Sequence, residues 1–158
     1  MKVAIVTGST SDLPIVRECY STLKRFGVEA EVKVLSAHRT PEELKAYVKE
    51  AVEKGVEVFI TAAGKAAHLP GVVASLTTLP VIGLPIPAKY LYGVDALLSI
   101  VQMPPGIPVA TVGVGEARNA AILAVQILSL KYDNLREKLK EYREEMRRKI
   151  LSAEVNLE

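Results

Sequence analysis

Cysteine occurs once in these 158 residues, as Cys19, histidine only twice, and tryptophan not at all. A single cysteine excludes an internal disulfide framework and a multi-cysteine zinc site. Two histidines without carboxylates at ligand spacing make poor arithmetic for a metal centre. Aromatic residues are scattered and amount to 5% of the chain, too few for a base-stacking platform. No sign of charge dominates: Lys and Arg number 20 against 18 Asp and Glu, a net +2. The late basic residues interleave with Glu as on a solvated helix, which argues against a nucleic-acid partner. No apolar run reaches the roughly 18 residues of a membrane span. Met1 to Thr7 is too short for the apolar core of a secretory signal, so a cytoplasmic protein without a membrane partner is expected. The GxGxxG dinucleotide fingerprint is missing, and no Gly-Lys-Ser or Gly-Lys-Thr marks a P-loop.

What the chain does contain is an apolar fraction of 49% and a positive mean hydropathy of +0.23, enough for a filled core. Residues 1–158 read as a single domain, of a size that buries roughly two thirds of its unfolded surface. Strand-like and helix-like segments alternate. Val3 to Val6 is a short apolar run ended by Gly8, as for a strand buried on both faces. From Leu13 to Phe26, apolar Ile15, Val16, Cys19, Tyr20, Leu23 and Phe26 share a helical face, with Gly27 as the stop. Val32 to Leu35 reads as a second strand. Leu44, Tyr47, Val48, Ala51 and Val52 mark a helix with Pro41 and two acids in its first turn. Further strands are predicted at Val56 to Ala62, Pro80 to Leu84 and Val109 to Val112, and helices at Gly93 to Gln102 and Glu116 to Leu130. The last of these carries few charges, which suggests burial on several sides. Asp133 is placed to cap a final helix with the stripe Leu135, Leu139, Tyr142, Met146 and Ile150.

Alternating strands and helices imply an α/β fold with a parallel sheet of about five strands and helices on both faces. Ligands then bind at the carboxyl ends of the strands. The loops after the first three strands read GSTSD (Gly8 to Asp12), SAHRTP (Ser36 to Pro41) and AGKAAHLPG (Ala63 to Gly71), and they hold both histidines. Ser9, Ser11 and Asp12 precede a helix, where they serve either an anion or an ordinary N-cap. His38 beside Arg39 offers a proton-transfer group and an oxyanion clamp. The plainer alternatives are a histidine bonded to a nearby carbonyl and an arginine paired with Glu42 or Glu43. The third loop is small and flexible, so backbone can approach a ligand there; otherwise it is a tight turn with Pro70 at a helix start. Lys65 in it either meets a carboxylate or points into water. Cys19 falls on the apolar helix face and reads as core rather than nucleophile.

Taken together in this order, GSTSD, SAHRTP, AGKAAHLPG and GVDALLSIVQMPPGIPV (Gly93 to Val109) resemble the PurE family, and the likeness runs nearly to the final helix. His68-Leu69-Pro70-Gly71 and Gln102-Met103-Pro104 resemble its mutase class. The resemblance implies a three-layer flavodoxin-like fold with a C-terminal helix packing on neighbouring subunits of a homo-octamer. It implies conversion of N5-carboxyaminoimidazole ribonucleotide to 4-carboxyaminoimidazole ribonucleotide in de novo purine synthesis, without cofactor or metal. It implies His38 as general acid/base, Ser9, Ser11 and Asp12 on the ribonucleotide, and Arg39 with Ser36 on its 5′-phosphate. Ala63, Gly64, His68 and Leu69 would then enclose the carboxylate and transient carbon dioxide. Two departures stand out: the family usually has Gly where this chain has Lys65, and Pro87 to Tyr92 does not follow the pattern. Alternatives are a carboxylase using free carbon dioxide, a carboxylase of pyridine-type substrates, and a flavodoxin-like binding module without catalysis.

Overall fold

Alternate residues of the first strand, β1 (Lys2–Thr7), point into two separate apolar layers in the computed structural model, which describes residues 1–155. Val3 and Ile5 pack with Val16, Cys19 and Leu23 of α1 (Leu13–Arg25), with the alanines of α5 (Ala117–Leu128) and with Leu135 of α6 (Asp133–Leu151). Ala4 and Val6 pack with Leu44 and Val48 of α2 (Pro41–Glu53), Val73 of α3 (Leu69–Leu76) and Ile100 of α4 (Val94–Val101). A strand covered on both faces needs apolar side chains at every position, which explains the unbroken run in the sequence. The remaining strands are β2 (Glu29–Val34), β3 (Val58–Gly64), β4 (Val81–Ile86) and β5 (Ala110–Thr111). All pairings are parallel and the order is β2-β1-β3-β4-β5. The expected three-layer α/β fold is what forms.

The elements differ from the sequence expectations chiefly at their ends. β2 begins at Glu29, three residues ahead of the apolar Val32, because Lys2 to Thr7 pairs with Glu29 to Val34 in register. It is an edge strand, and Glu29, Glu31 and Lys33 are tolerated where one side stays wet. Lys2 pairs with Glu31 at 2.8 Å, and the Tyr47 hydroxyl donates to the same carboxylate at 2.6 Å, tying β2 to α2. β5 shrinks to two residues. The segment from Leu69 to Leu76 is a helix with Pro70 in its first turn, the helix start that the third loop offered. Asp133 does not cap α6: it is the first helical residue, Tyr132 occupies the N-cap, and no side-chain cap forms there.

The near-chargeless α5 is accounted for inside the chain. It packs against α1, α6, β3 and β4, and six of its twelve residues are buried. The stripe of α6 divides in two. Leu135 and Leu139 are buried, Tyr142 meets Phe26 edge-on at 5.5 Å between ring centroids, and Met146 and Ile150 lie exposed.

The first crossover runs from β1 to β2, and the second returns from β2 past β1 to β3 on its other side. The strand order therefore reverses between β1 and β3, where an open α/β sheet forms a crevice at its carboxyl edge.

Candidate active site

The β1–α1 loop closes on itself through hydroxyls. Ser9 is extended (φ −151°) and its Oγ accepts from the Ser11 amide at 3.2 Å, capping a short turn over Thr10–Asp12. Ser9 and Ser11 hydroxyls lie 2.8 Å apart, and Ser11 donates to Asp12 Oδ1 at 3.0 Å. The buried Thr7 donates to Asp12 Oδ2 at 2.8 Å from the end of β1. Ser9 thus acts as a cap and lines the cleft at once, so the two readings of this loop do not compete. The network holds the Asp12 carboxylate by both oxygens, which is how a rotamer is locked before a ligand arrives.

The β2–α2 loop is tied in the same way. The Ser36 amide donates to Thr40 Oγ1 at 2.8 Å, and the Arg39 amide donates to Ser36 Oγ at 3.2 Å. Arg39 does not pair with Glu42 or Glu43. Its Nη2 donates to the Gly8 carbonyl at 2.6 Å, and its Nε reaches Ser36 Oγ at 3.4 Å. The guanidinium therefore bridges the first two loops, and its fork of five N–H donors retains capacity for an anion beyond these two bonds.

His38 is not bonded to a neighbouring carbonyl. Its Nε2 lies 2.8 Å from Nδ1 of His68, and the rings meet edge to face with centroids 4.9 Å apart and planes at 85°. Such a contact requires one imidazole to donate and the other to accept. The contact fixes the orientation of both rings at the cleft.

The β3–α3 loop supplies the rest. Ala63 and Gly64 are the last residues of β3, and a Cβ on Gly64 would come within 3.3 Å of the Ile86 carbonyl of β4, a contact tight enough that the neighbouring strand would have to give way slightly. Lys65 adopts φ +57°. This left-handed region costs a residue with a Cβ about 1–2 kcal/mol and suits glycine. His68 sits at the N-terminus of α3 and Leu69 is buried beneath it.

The cleft these loops surround is about 600 Å³, ample for a nucleotide. Its lining includes Ser9, Ser11, Asp12, Ser36, His38, Arg39, Ala63, Gly64, His68 and Leu69, every residue singled out from sequence. The cations Arg39 and Lys65 face a single acid, Asp12, so the cleft favours an anionic ligand.

The profile of the AIR carboxylase family matches residues 2–149. The chain belongs to the AIR carboxylase family. Among its relatives, the N5-carboxyaminoimidazole ribonucleotide mutase of Pyrococcus abyssi is 61% identical over 147 residues, covering 93% of this chain and 84% of that protein. The mutase of the same description from Saccharolobus solfataricus is 57% identical over 152 residues, 96% of each chain. The crystal structure of Treponema denticola PurE superposes with a TM-score of 0.86 at 33% identity, covering 95% of this chain and 94% of that one.

Within this family member, sequence reasoning missed part of the cleft wall. Ile86, Pro87 and Ala88 line it from the end of β4. The signal was available, since a fourth parallel strand delivers its following loop to the same sheet edge. Thr7 was missed because a threonine inside an apolar strand reads as core. Cys19 is core, as expected: burial, with a smaller contribution from Glu18, pushes its thiol up to about 12, so it carries no thiolate at neutral pH.

Proposed function

We propose that this protein converts N5-carboxyaminoimidazole ribonucleotide to 4-carboxyaminoimidazole ribonucleotide, an isomerase step of de novo purine synthesis, with His38 moving the proton. The observation that carries the chemistry is the 2.8 Å contact of His38 with His68 in a cleft walled by an arginine and by small, hydroxyl-rich loops. The relatives described above are mutases of this description, and at their level of identity the activity comes to this chain.

The proton inventory shows why an imidazole suffices. The carbamate N–C bond breaks, its electron pair returns to nitrogen, nitrogen takes a proton, and carbon dioxide is released into the cleft. The ring carbon C4 then forms a C–C bond to that carbon dioxide and gives up its own proton. One proton is supplied and one recovered, so a single acid/base closes the cycle. No electrons leave the substrate and no phosphoryl group moves, so the balance calls for no redox cofactor and no nucleotide triphosphate. Holding the ring and the carbon dioxide together makes recapture effectively unimolecular. Arg39, fixed by Gly8 and Ser36, holds the 5′-phosphate, with Ser9, Ser11 and Asp12 on the ribonucleotide. Ala63, Gly64, His68 and Leu69 enclose the migrating carboxyl group. We place the enzyme in the cytoplasm as a homo-octamer, following the family resemblance; no helix among the described residues is long and apolar enough to cross a membrane.

Turnover of fresh carbamate ribonucleotide should exceed turnover of aminoimidazole ribonucleotide at equal concentration with physiological bicarbonate. Carbon dioxide delivered on the substrate has its approach to the ring already arranged, whereas free carbon dioxide is dilute, small and uncharged. The opposite order of rates would assign the chain as a carboxylase.

A further inference from the structure

We propose that Lys65 is a specificity-determining residue of this cleft, binding the carboxylate that migrates and so favouring carboxylated ribonucleotides over the decarboxylated aminoimidazole ribonucleotide. The assignment rests on the functional reading above and adds to it a role for Lys65.

Three observations converge on it. Lys65 lines the same cleft as His38, His68 and Arg39. Its backbone is left-handed at φ +57°, a conformation that glycine would adopt without strain. A strained backbone carrying a long charged side chain is a reason to look for function at that point. Among the described residues Lys65 forms no ion pair, and both oxygens of the only acid lining the cleft, Asp12, are held by Thr7 and Ser11.

Topology then distributes the charge. Arg39 enters from the loop after β2 and Lys65 from the loop after β3, on either side of β1. A ligand seated across the carboxyl end of β1 meets one cation on each flank. The ribonucleotide is itself anionic at two separated places, the 5′-phosphate and the carboxylate. Arg39, fastened to Gly8 and Ser36, is the geometrically fixed clamp suited to phosphate. Lys65 is a point charge on a flexible stem, suited to a carboxylate that sits on nitrogen in the substrate and on carbon in the product. Lys65 meets a carboxylate in both and uncharged carbon dioxide between them, so it stabilises the bound ligands and not the step that joins them. It therefore acts on KM more than on kcat.

The test compares wild type, Lys65→Gly and Lys65→Arg. For each, KM and kcat are measured with the carbamate ribonucleotide and with 4-carboxyaminoimidazole ribonucleotide in reverse, and Kd for aminoimidazole ribonucleotide by calorimetry. In K65G, KM for both carboxylated ligands should rise about three- to tenfold, the range of an exposed charge-assisted contact. Its kcat should not fall, Kd for aminoimidazole ribonucleotide should move less than twofold, and K65R should restore KM. Thermal melting serves as the folding control, since glycine suits the backbone there. Unchanged KM in K65G beside an active wild type would overturn the role of Lys65 alone. A parallel loss of affinity for aminoimidazole ribonucleotide would also overturn it, reassigning the lysine to the phosphate or ribose. A wild type inactive on both carboxylated ribonucleotides would overturn the functional reading and this role with it.

Discussion

His38 and His68 stand 30 positions apart in the chain and touch at 2.8 Å, so the residue proposed above to move the proton has a second imidazole as its partner. Removing the imidazole of His38 while keeping a hydrogen-bonding side chain separates chemistry from binding. His38→Asn should lower kcat by about 10²- to 10⁴-fold, the usual worth of a positioned acid/base. Ribonucleotide affinity should stay within a few-fold, because Arg39, Ser36 and the first loop are held by bonds that do not involve His38. Steady-state kinetics with calorimetry checks both halves, and near wild-type turnover would remove His38 from its role. The residue types of this site were legible in the sequence, since His, Arg and Ser in loops after strands announce proton transfer and anion binding. Their partners were not. Arg39 has Glu42 and Glu43 three and four residues away on the following helix, yet it bonds the Gly8 carbonyl 31 residues distant. The local option lost to a bond that also closes one loop upon another.

At the scale of elements, close approach of helix to sheet positions the cleft. Gly83 lies in β4, and a Cβ built there would meet Cγ2 of the fully buried Ile100 at 2.3 Å and Cγ1 of Val109 at 3.1 Å. Gly83→Ala should therefore destabilise by about 1–3 kcal/mol, as overpacked cores do, and be visible as a lower urea midpoint. At the opposite edge of the sheet, Glu57 gathers the N-terminal amine at 3.4 Å, Lys131 Nζ at 2.8 Å and the Tyr132 hydroxyl at 2.9 Å. It fastens the α5–α6 junction beside the start of β3. Burial by itself would raise this carboxyl, but the hydrogen bonds of Lys131 and Tyr132 outweigh it and hold Glu57 below its ordinary 4.5. A carboxyl lowered on folding stabilises the fold above its unfolded value and loses that contribution as acid protonates it. Glu57→Gln should thus be less stable than wild type near pH 7, and the gap should close between about pH 5 and pH 3. Denaturant midpoints across that range check it; a gap independent of pH would show that the carboxylate charge contributes nothing.

At the scale of the whole molecule, the octamer proposed above needs apolar surface to bury, and α5 does not supply it. The apolar α5 is satisfied within the chain. Apolar surface is exposed instead at Tyr90 (82%), Leu91 and Tyr92 (79%) and along α4 at Val94, Leu98 and Val101, with Met146, Ile150 and Leu151 at the far end of α6. Val94, Leu98 and Val101 follow the i, i+4, i+7 spacing of a helix face made to be covered. Light scattering at micromolar concentration should give a mass near eight times the 17.1 kDa chain, and Leu98→Glu should reduce it. A monomeric wild type would remove the octamer.

What the sequence determined by itself is the layered α/β architecture and the address of the site. Burial on two faces demands the unbroken apolar runs of β1 and β3, burial on one demands the helical stripes of α1 and α2, and both patterns are local. A parallel sheet then sends every following loop to one edge, so the loops rich in His, Arg and Ser had to share a cleft. Only the tertiary structure decided the order β2-β1-β3-β4-β5, the reach of β2 back to Glu29, the pairing of His38 with His68, the hold of Arg39 on Gly8, and the entry of Pro87 and Ala88 into the wall. These rest on contacts between residues far apart in the chain, whose energies depend on which neighbours the packed sheet supplies and leave no period or spacing in the sequence.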